Sequence, residues 1–132
     1  MTVDFIEKIV RDSFGLGLIA IFSSIGSWRP ELSFDQRRDE FFFVIESLLN
    51  DGRIKFIAPG ADCYISPDNQ NPRFSVADSA AHWNLEAGKI VSYLKGRWPK
   101  DVVSDSDEDL TFYFYEVPGV IWVDDKGNYF SS

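Results

Sequence analysis

The chain has 132 residues, of which 45% are hydrophobic and 16% aromatic, and its formal net charge is −8. The length indicates a single domain over residues 1–132, because two separate cores would each approach the minimum stable size. The apolar content excludes an intrinsically disordered chain. The negative charge argues against a free-standing nucleic-acid-binding protein, which needs basic residues against phosphates.

Thiol and imidazole groups are scarce, since Cys63 is the only cysteine and His82 the only histidine. A lone thiol forms no internal disulfide, which favours a reducing compartment, and one Cys with one His cannot build a zinc cluster. The longest apolar run, residues 14–25, is shorter than the roughly 20 residues that a membrane span needs. We therefore expect a cytoplasmic protein with no membrane attachment, metal or cofactor.

Helical periodicity predicts three helices, at residues 3–26, 34–50 and 85–98. Within the first, Gly15 and Gly17 can break the helix into two pieces. The second begins with a capping box, in which Ser33 is the N-cap and Gln36 follows three residues later. Asn84 is the expected N-cap of the third helix.

Alternating or β-prone residues predict up to five strands, at residues 53–58, 62–66, 111–115, 120–123 and 128–130. Residues 124–127, Asp-Asp-Lys-Gly, have the composition of a hairpin turn between the last two strands. The predicted class is therefore α+β, with two or three main helices packed on an antiparallel sheet of four or five strands.

The net charge is concentrated in the acidic segment, residues 101–125. This segment contains eight acidic residues and no Lys or Arg, and the 13 remaining acids balance the 13 bases of the chain. It can be a solvated loop or a docking surface for a basic protein. A third interpretation is calcium, because Asp105, Asp107, Asp109 and Glu116 have EF-hand spacing. However, Leu110 occupies the position that requires Gly.

Under the docking interpretation, the acids steer a basic partner and nearby aromatic residues anchor it. The candidate acids of the loop are Asp101, Asp105, Asp107, Glu108 and Asp109, and Asp124 and Asp125 follow at the turn. The candidate anchors are Tyr113, Tyr115 and Trp122, although aromatic residues of strands can instead face the core.

Two other classes of function remain open. Cys63 and His82 could form a thiolate–imidazole pair in a small hydrolase or thiol enzyme, although no local motif supports one. Alternatively, the high aromatic content suits a homo-oligomeric adaptor or structural domain.

Three stretches, Ser33–Arg38, Ile54–Gly60 and Pro118–Asp124, resemble a family of small uncharacterised bacterial cytoplasmic proteins. Such proteins are similar to the immunity proteins encoded beside polymorphic and contact-dependent growth-inhibition toxins. The resemblance implies a small acidic protein, not an enzyme, that binds a cognate toxin domain, often a nuclease. It would block the toxin's active or substrate-binding surface. The resemblance supplies no catalytic residue.

Overall fold

A computed structural model describes residues 3–131 and has an α+β architecture. Its helices are α1 (Val3–Ser13), α2 (Leu18–Trp28), α3 (Phe34–Asn50), α4 (Ala87–Gly96) and α5 (Glu108–Glu116). Its strands are β1 (Ile54–Phe56), β2 (Val120–Val123) and β3 (Tyr129–Phe130). The α+β class is confirmed, but the described part of the chain has five helices and three strands. The predicted numbers of helices and strands were therefore wrong.

The first predicted helix is divided at Gly15, as its sequence suggested. Gly15 has a φ of 80°, in the left-handed region that favours glycine, and α1 ends two residues earlier. Asp12 then joins the two helices, because its Oδ2 accepts hydrogen bonds from Trp28 Nε1 at 2.7 Å and from Ser24 Oγ at 2.9 Å.

The central helix, α3, begins and ends as predicted. Gln36 N donates to Ser33 Oγ at 3.1 Å and Ser33 N donates to Gln36 Oε1 at 2.9 Å, so the capping box is present. The side of α3 that faces the core is fully buried at Phe41, Val44, Ile45 and Leu48. Helix α3 thereby packs against α2, α4 and β1.

The three strands form one antiparallel sheet in the order β1-β2-β3. Ile54 lies opposite Trp122, and Val123 lies opposite Tyr129. The predicted hairpin at residues 124–127 is confirmed, with Gly127 at a φ of 81°. The strand expected at residues 62–66 is not formed. Instead, Asp62 accepts hydrogen bonds from Asn69 Nδ2 at 2.6 Å and Arg73 N at 2.9 Å, which fold this segment into a loop.

Residues 111–115 belong to α5, so the strand predicted there was wrong. The β-prone aromatic residues adopt a helix because Leu110 and Tyr113 fall on one helical face and are buried in the core. Phe114 packs beside them in a cluster of rings around Trp98. Tertiary burial thus outweighs β-propensity at this point.

No helix within residues 3–131 is long and apolar enough to cross a membrane.

Candidate protein-binding surface

Helix α5 is held against the core by its inner face. The Tyr113 hydroxyl donates to Leu94 O at 2.7 Å, and burial raises the pKa of this phenol. The Phe114 ring lies 5.7 Å from Phe22 and 5.8 Å from Phe41, measured between ring centroids. These contacts fix the rotation of α5 and therefore which of its side chains face solvent.

The outer side of α5 combines carboxylates with large aromatic rings. We call it the acidic face of α5, and its residues are Glu108, Asp109, Phe112, Tyr115 and Glu116. Glu108, Phe112 and Glu116 follow one another at four-residue spacing, and Asp109, Phe112 and Tyr115 follow at three. Phe112 is 57% exposed and Tyr115 is 89% exposed. The two rings are therefore surrounded by acids on an open helical surface.

Within residues 3–131, the carboxylates of this face have no cationic partners. Among residues 3–131, Glu108, Asp109 and Glu116 form no ion pair, and neither does the exposed Asp101. Glu108 and Asp109 lie in the first turn of α5, where the helix dipole favours negative charge. Their position is thus compatible with the fold, and their charge is available to a partner.

Other acids of the acidic segment are bound within the protein, either to Arg37 of α3 or to backbone amides of their own loop and turn. Asp105 forms an ion pair with Arg37, and Asp107 Oδ2 accepts hydrogen bonds from Val103 N at 3.0 Å and Ser104 N at 3.2 Å. Asp124 accepts from Asn128 N at 2.8 Å and Lys126 N at 2.9 Å. The hydrogen bonds from Asn128, together with those from Lys126 and Gly127, lower the pKa of Asp124. Asp125 is exposed within this turn.

Two of the three predicted aromatic anchors are placed elsewhere. Trp122 is fully buried in β2, and its Nε1 donates to Leu16 O at 2.8 Å. Tyr113 is buried on the inner face of α5. Neither side chain can contact a partner on this surface, so their assignment as anchors was wrong. Tyr115 is exposed, as an anchor must be.

A groove of about 940 Å³ lies next to the acidic face. Tyr115 and Glu116 belong to both, and Val117 and Pro118 continue the wall of the groove. The opposite loop contributes Cys63, Tyr64 and Ile65. Gly119 N donates to the Tyr64 hydroxyl at 2.9 Å, which joins the loop to the chain between α5 and β2.

The surroundings of Cys63 and His82 do not favour thiol chemistry. Burial, and then the negative charges of Asp78 and Asp62, raise the pKa of the Cys63 thiol, whereas a reactive cysteine needs a lowered pKa. His82 is buried, with Nε2 at 2.7 Å from Val76 O and its ring 4.7 Å from the Tyr129 ring. In the part of the chain that the structure describes, no hydrogen bond joins Cys63 to His82.

The calcium interpretation does not match the geometry either. An EF-hand requires a loop over residues 105–116, but α5 occupies residues 108–116. Within residues 3–131, no three His, Cys, Asp or Glu side chains are grouped as ligands for a metal ion.

Four residues of this surface were not predicted as partner-binding from the sequence. They are Phe112 and Glu116 of the acidic face, and Tyr64 and Ile65 of the groove. A helical interpretation of residues 107–117 would have found the first two. Asp107 precedes two acids of a first turn, and Leu110, Tyr113, Phe114 and Val117 have the spacing of a buried helical stripe. No comparable signal marks Tyr64 and Ile65, because an irregular loop places them in the groove.

No protein-family profile and no curated protein matches the sequence. The fold is similar to that of a solved structure described as an uncharacterised protein conserved in bacteria, from Neisseria meningitidis. That similarity has a TM-score of 0.67 at 16% sequence identity, and it covers 96% of this chain and 86% of the other. The similarity shows a shared fold and nothing about function.

Proposed function

We propose that this protein is a cytoplasmic immunity protein, not an enzyme, which binds a cognate basic toxin domain and covers its active or substrate-binding surface. The acidic face of α5 is the observation that supports this proposal. There, three carboxylates without ion pairs within residues 3–131 surround the exposed rings of Phe112 and Tyr115.

The acids and the aromatic residues have different tasks in this proposal. Exposed charges of one sign accelerate the encounter with an oppositely charged protein, and salt screens that attraction. Aromatic side chains bury a large area once the encounter has occurred, and they stack favourably with Lys and Arg of the partner. Glu108, Asp109 and Glu116 would therefore control the association rate, whereas Phe112 and Tyr115 would control the dissociation rate.

The partner's positive charge is also what makes inhibition by coverage effective. Nuclease domains bind their substrate through basic surfaces, because the phosphate backbone dominates their affinity. A protein with an acidic face competes directly for that surface. It needs no catalytic group of its own.

The product of the reading frame immediately upstream is the partner to test. We expect it to arrest growth when expressed alone and to be neutralised by co-expression of this protein. The association rate, measured by stopped flow, should fall steeply with NaCl concentration. The triple variant Glu108→Gln, Asp109→Asn, Glu116→Gln should associate about tenfold more slowly at low salt.

The matched control is the triple variant Asp4→Asn, Glu31→Gln, Glu86→Gln. It also neutralises one Asp and two Glu, but at exposed positions outside the acidic segment. It should associate at nearly the wild-type rate. Equal slowing in both triple variants would mean that net charge, and not the face of α5, governs the encounter. Absence of protection in the co-expression experiment would contradict the immunity proposal itself.

A further inference from the structure

The groove beside α5 contains very little charge for its size. Its volume, about 940 Å³, is near the upper end of the roughly 300–1,000 Å³ usual for ligand sites. Among its described lining residues, Glu116 is the only one with a charged side chain. Most of the remaining wall is apolar or aromatic and includes Tyr64, Ile65 and Tyr115, whereas Ser66 and Ser131 add uncharged polar groups.

Glu116 occupies a position that the fold itself does not favour. It is the last residue of α5, where the helix dipole presents partial negative charge and repels a carboxylate. No Lys or Arg within residues 3–131 forms an ion pair with it. A cation supplied from outside would relieve this repulsion.

The aromatic walls are suited to the same cation. Tyr64 is 52% exposed and Tyr115 is 89% exposed, so both present ring surface to the groove. The hydrogen bond from Gly119 N holds the Tyr64 ring in place before any ligand arrives. The faces of aromatic rings attract ammonium and guanidinium groups, and the apolar stems of Lys and Arg pack on such walls.

Two carboxylates that act on Cys63 reinforce this preference. Asp78 and Asp62 contribute to the raised pKa of Cys63, which lines the groove, so their field opposes negative charge there. The groove is also continuous with the acidic face through Tyr115 and Glu116. A ligand that crosses from the acidic face into the groove therefore passes Tyr115 and the Glu116 carboxylate, which belong to both.

We propose that the groove receives a short basic segment of the protein partner. A Lys or Arg side chain of this segment would lie against the rings of Tyr64 and Tyr115, with its cationic group on the Glu116 carboxylate. This inference rests on the proposed function and adds a specific subsite to it. The volume suits a peptide segment, and one carboxylate offers little to orient a small polar metabolite.

The probe is the blocked peptide acetyl-Ala-Gly-Arg-Gly-Ala-amide, titrated into the isotope-labelled full chain and followed by NMR. Its control contains citrulline, a neutral analogue, in place of arginine. We expect the arginine peptide to shift the signals of Tyr64, Tyr115 and Gly119, and the citrulline peptide to bind at least about threefold more weakly.

Glu116→Gln should weaken binding of the arginine peptide about three- to fivefold and leave the affinity for the citrulline peptide unchanged. It should also raise the melting temperature by about 1–4 °C, because it removes a carboxylate from a helix C-terminus. Glu31→Gln removes an exposed carboxylate elsewhere and should not change binding of either peptide. A lowered melting temperature in Glu116→Gln would assign the residue a structural role and overturn the proposal.

Equal affinity for both peptides, or shifts confined to residues outside the groove, would also overturn the subsite. The double variant Glu108→Gln, Asp109→Asn separates this outcome from failure of the proposed function, because neither residue lines the groove. If that variant slows association with the toxin domain while the peptides fail to discriminate, only the subsite is wrong. If the arginine peptide binds as expected but co-expression gives no protection, the immunity proposal is wrong.

Discussion

Arg37 and Asp105, which are 68 positions apart, form a two-pronged ion pair that ties the loop before α5 to α3. Arg37 Nη1 lies 3.1 Å from Asp105 Oδ2, and Nη2 contacts Oδ1. The guanidinium also lies 4.2 Å above the Phe22 ring. A Cβ on Gly26 would lie 2.5 Å from Arg37 Nη1, so the arginine occupies this conformation because α2 has no side chain there.

This arrangement predicts an energetic coupling between Gly26 and Arg37. Ala is favoured over Gly within a helix by up to about 1 kcal/mol. We nevertheless expect Gly26→Ala either to leave the free energy of unfolding unchanged or to lower it, because the methyl group displaces Arg37 from Asp105. In an Arg37→Ala background the same substitution should stabilise by about 0.5–1 kcal/mol. Urea denaturation of the four proteins measures the coupling.

Gly88→Ala is the control for helix propensity alone, because the nearest atom to its Cβ is Glu46 Oε1 at 3.8 Å. It should stabilise equally with and without Arg37. Identical effects of Gly26→Ala in the two backgrounds would contradict the coupling.

The two faces of α5 predict effects of different size for the same Tyr→Phe substitution. Tyr113→Phe removes the buried hydrogen bond to Leu94 O and should lower the free energy of unfolding by about 1 kcal/mol. Tyr115→Phe alters an exposed ring and should change it by less than about 0.5 kcal/mol. Chemical denaturation of both variants tests the orientation of α5. A strand at residues 111–115 would place Tyr113 and Tyr115 on the same face and give them similar effects.

The hydrogen bonds of Asp12 predict that the free energy of unfolding falls in acid. Hydrogen bonds from Trp28 and then Ser24 lower its pKa from the ordinary 3.8, so the folded state favours the ionised form. Its contribution is therefore fully present above pH 3.8 and is lost as the pH falls through the lowered folded-state value. We expect Asp12→Asn to be less stable than the wild type at neutral pH, with the two urea midpoints converging in acid.

Trp28→Phe removes the stronger of the two donors to Asp12 and should reduce the same acid dependence in part. A difference between wild type and Asp12→Asn that stays constant down to the lowest pH would show that the carboxylate's charge is not involved.

Local signals in the sequence predicted those elements whose geometry depends on neighbouring residues. The Ser33–Gln36 capping box, the break at Gly15 and the hairpin at residues 124–127 are each set by backbone conformations that a few residues favour. The strand predicted at residues 62–66 does not form, because the hydrogen bonds that Asp62 accepts from residues 69 and 73 compete with strand pairing. Propensity alone does not register that competition.

The sequence by itself determined the α+β class, both ends of α3, the break near Gly15 and the concentration of charge in residues 101–125. The sequence of residues 111–115 carries both a strand signal and a helical one, and the tertiary structure decided for the helix, since burial of Leu110 and Tyr113 against the core outweighs their β-propensity. In a helix the direction of the side chains repeats every 3.6 residues, whereas in a strand it repeats every two. The helix buries Tyr113 and exposes Phe112 and Tyr115 beside the acids, and it thereby determines which residues form the surface offered to a partner.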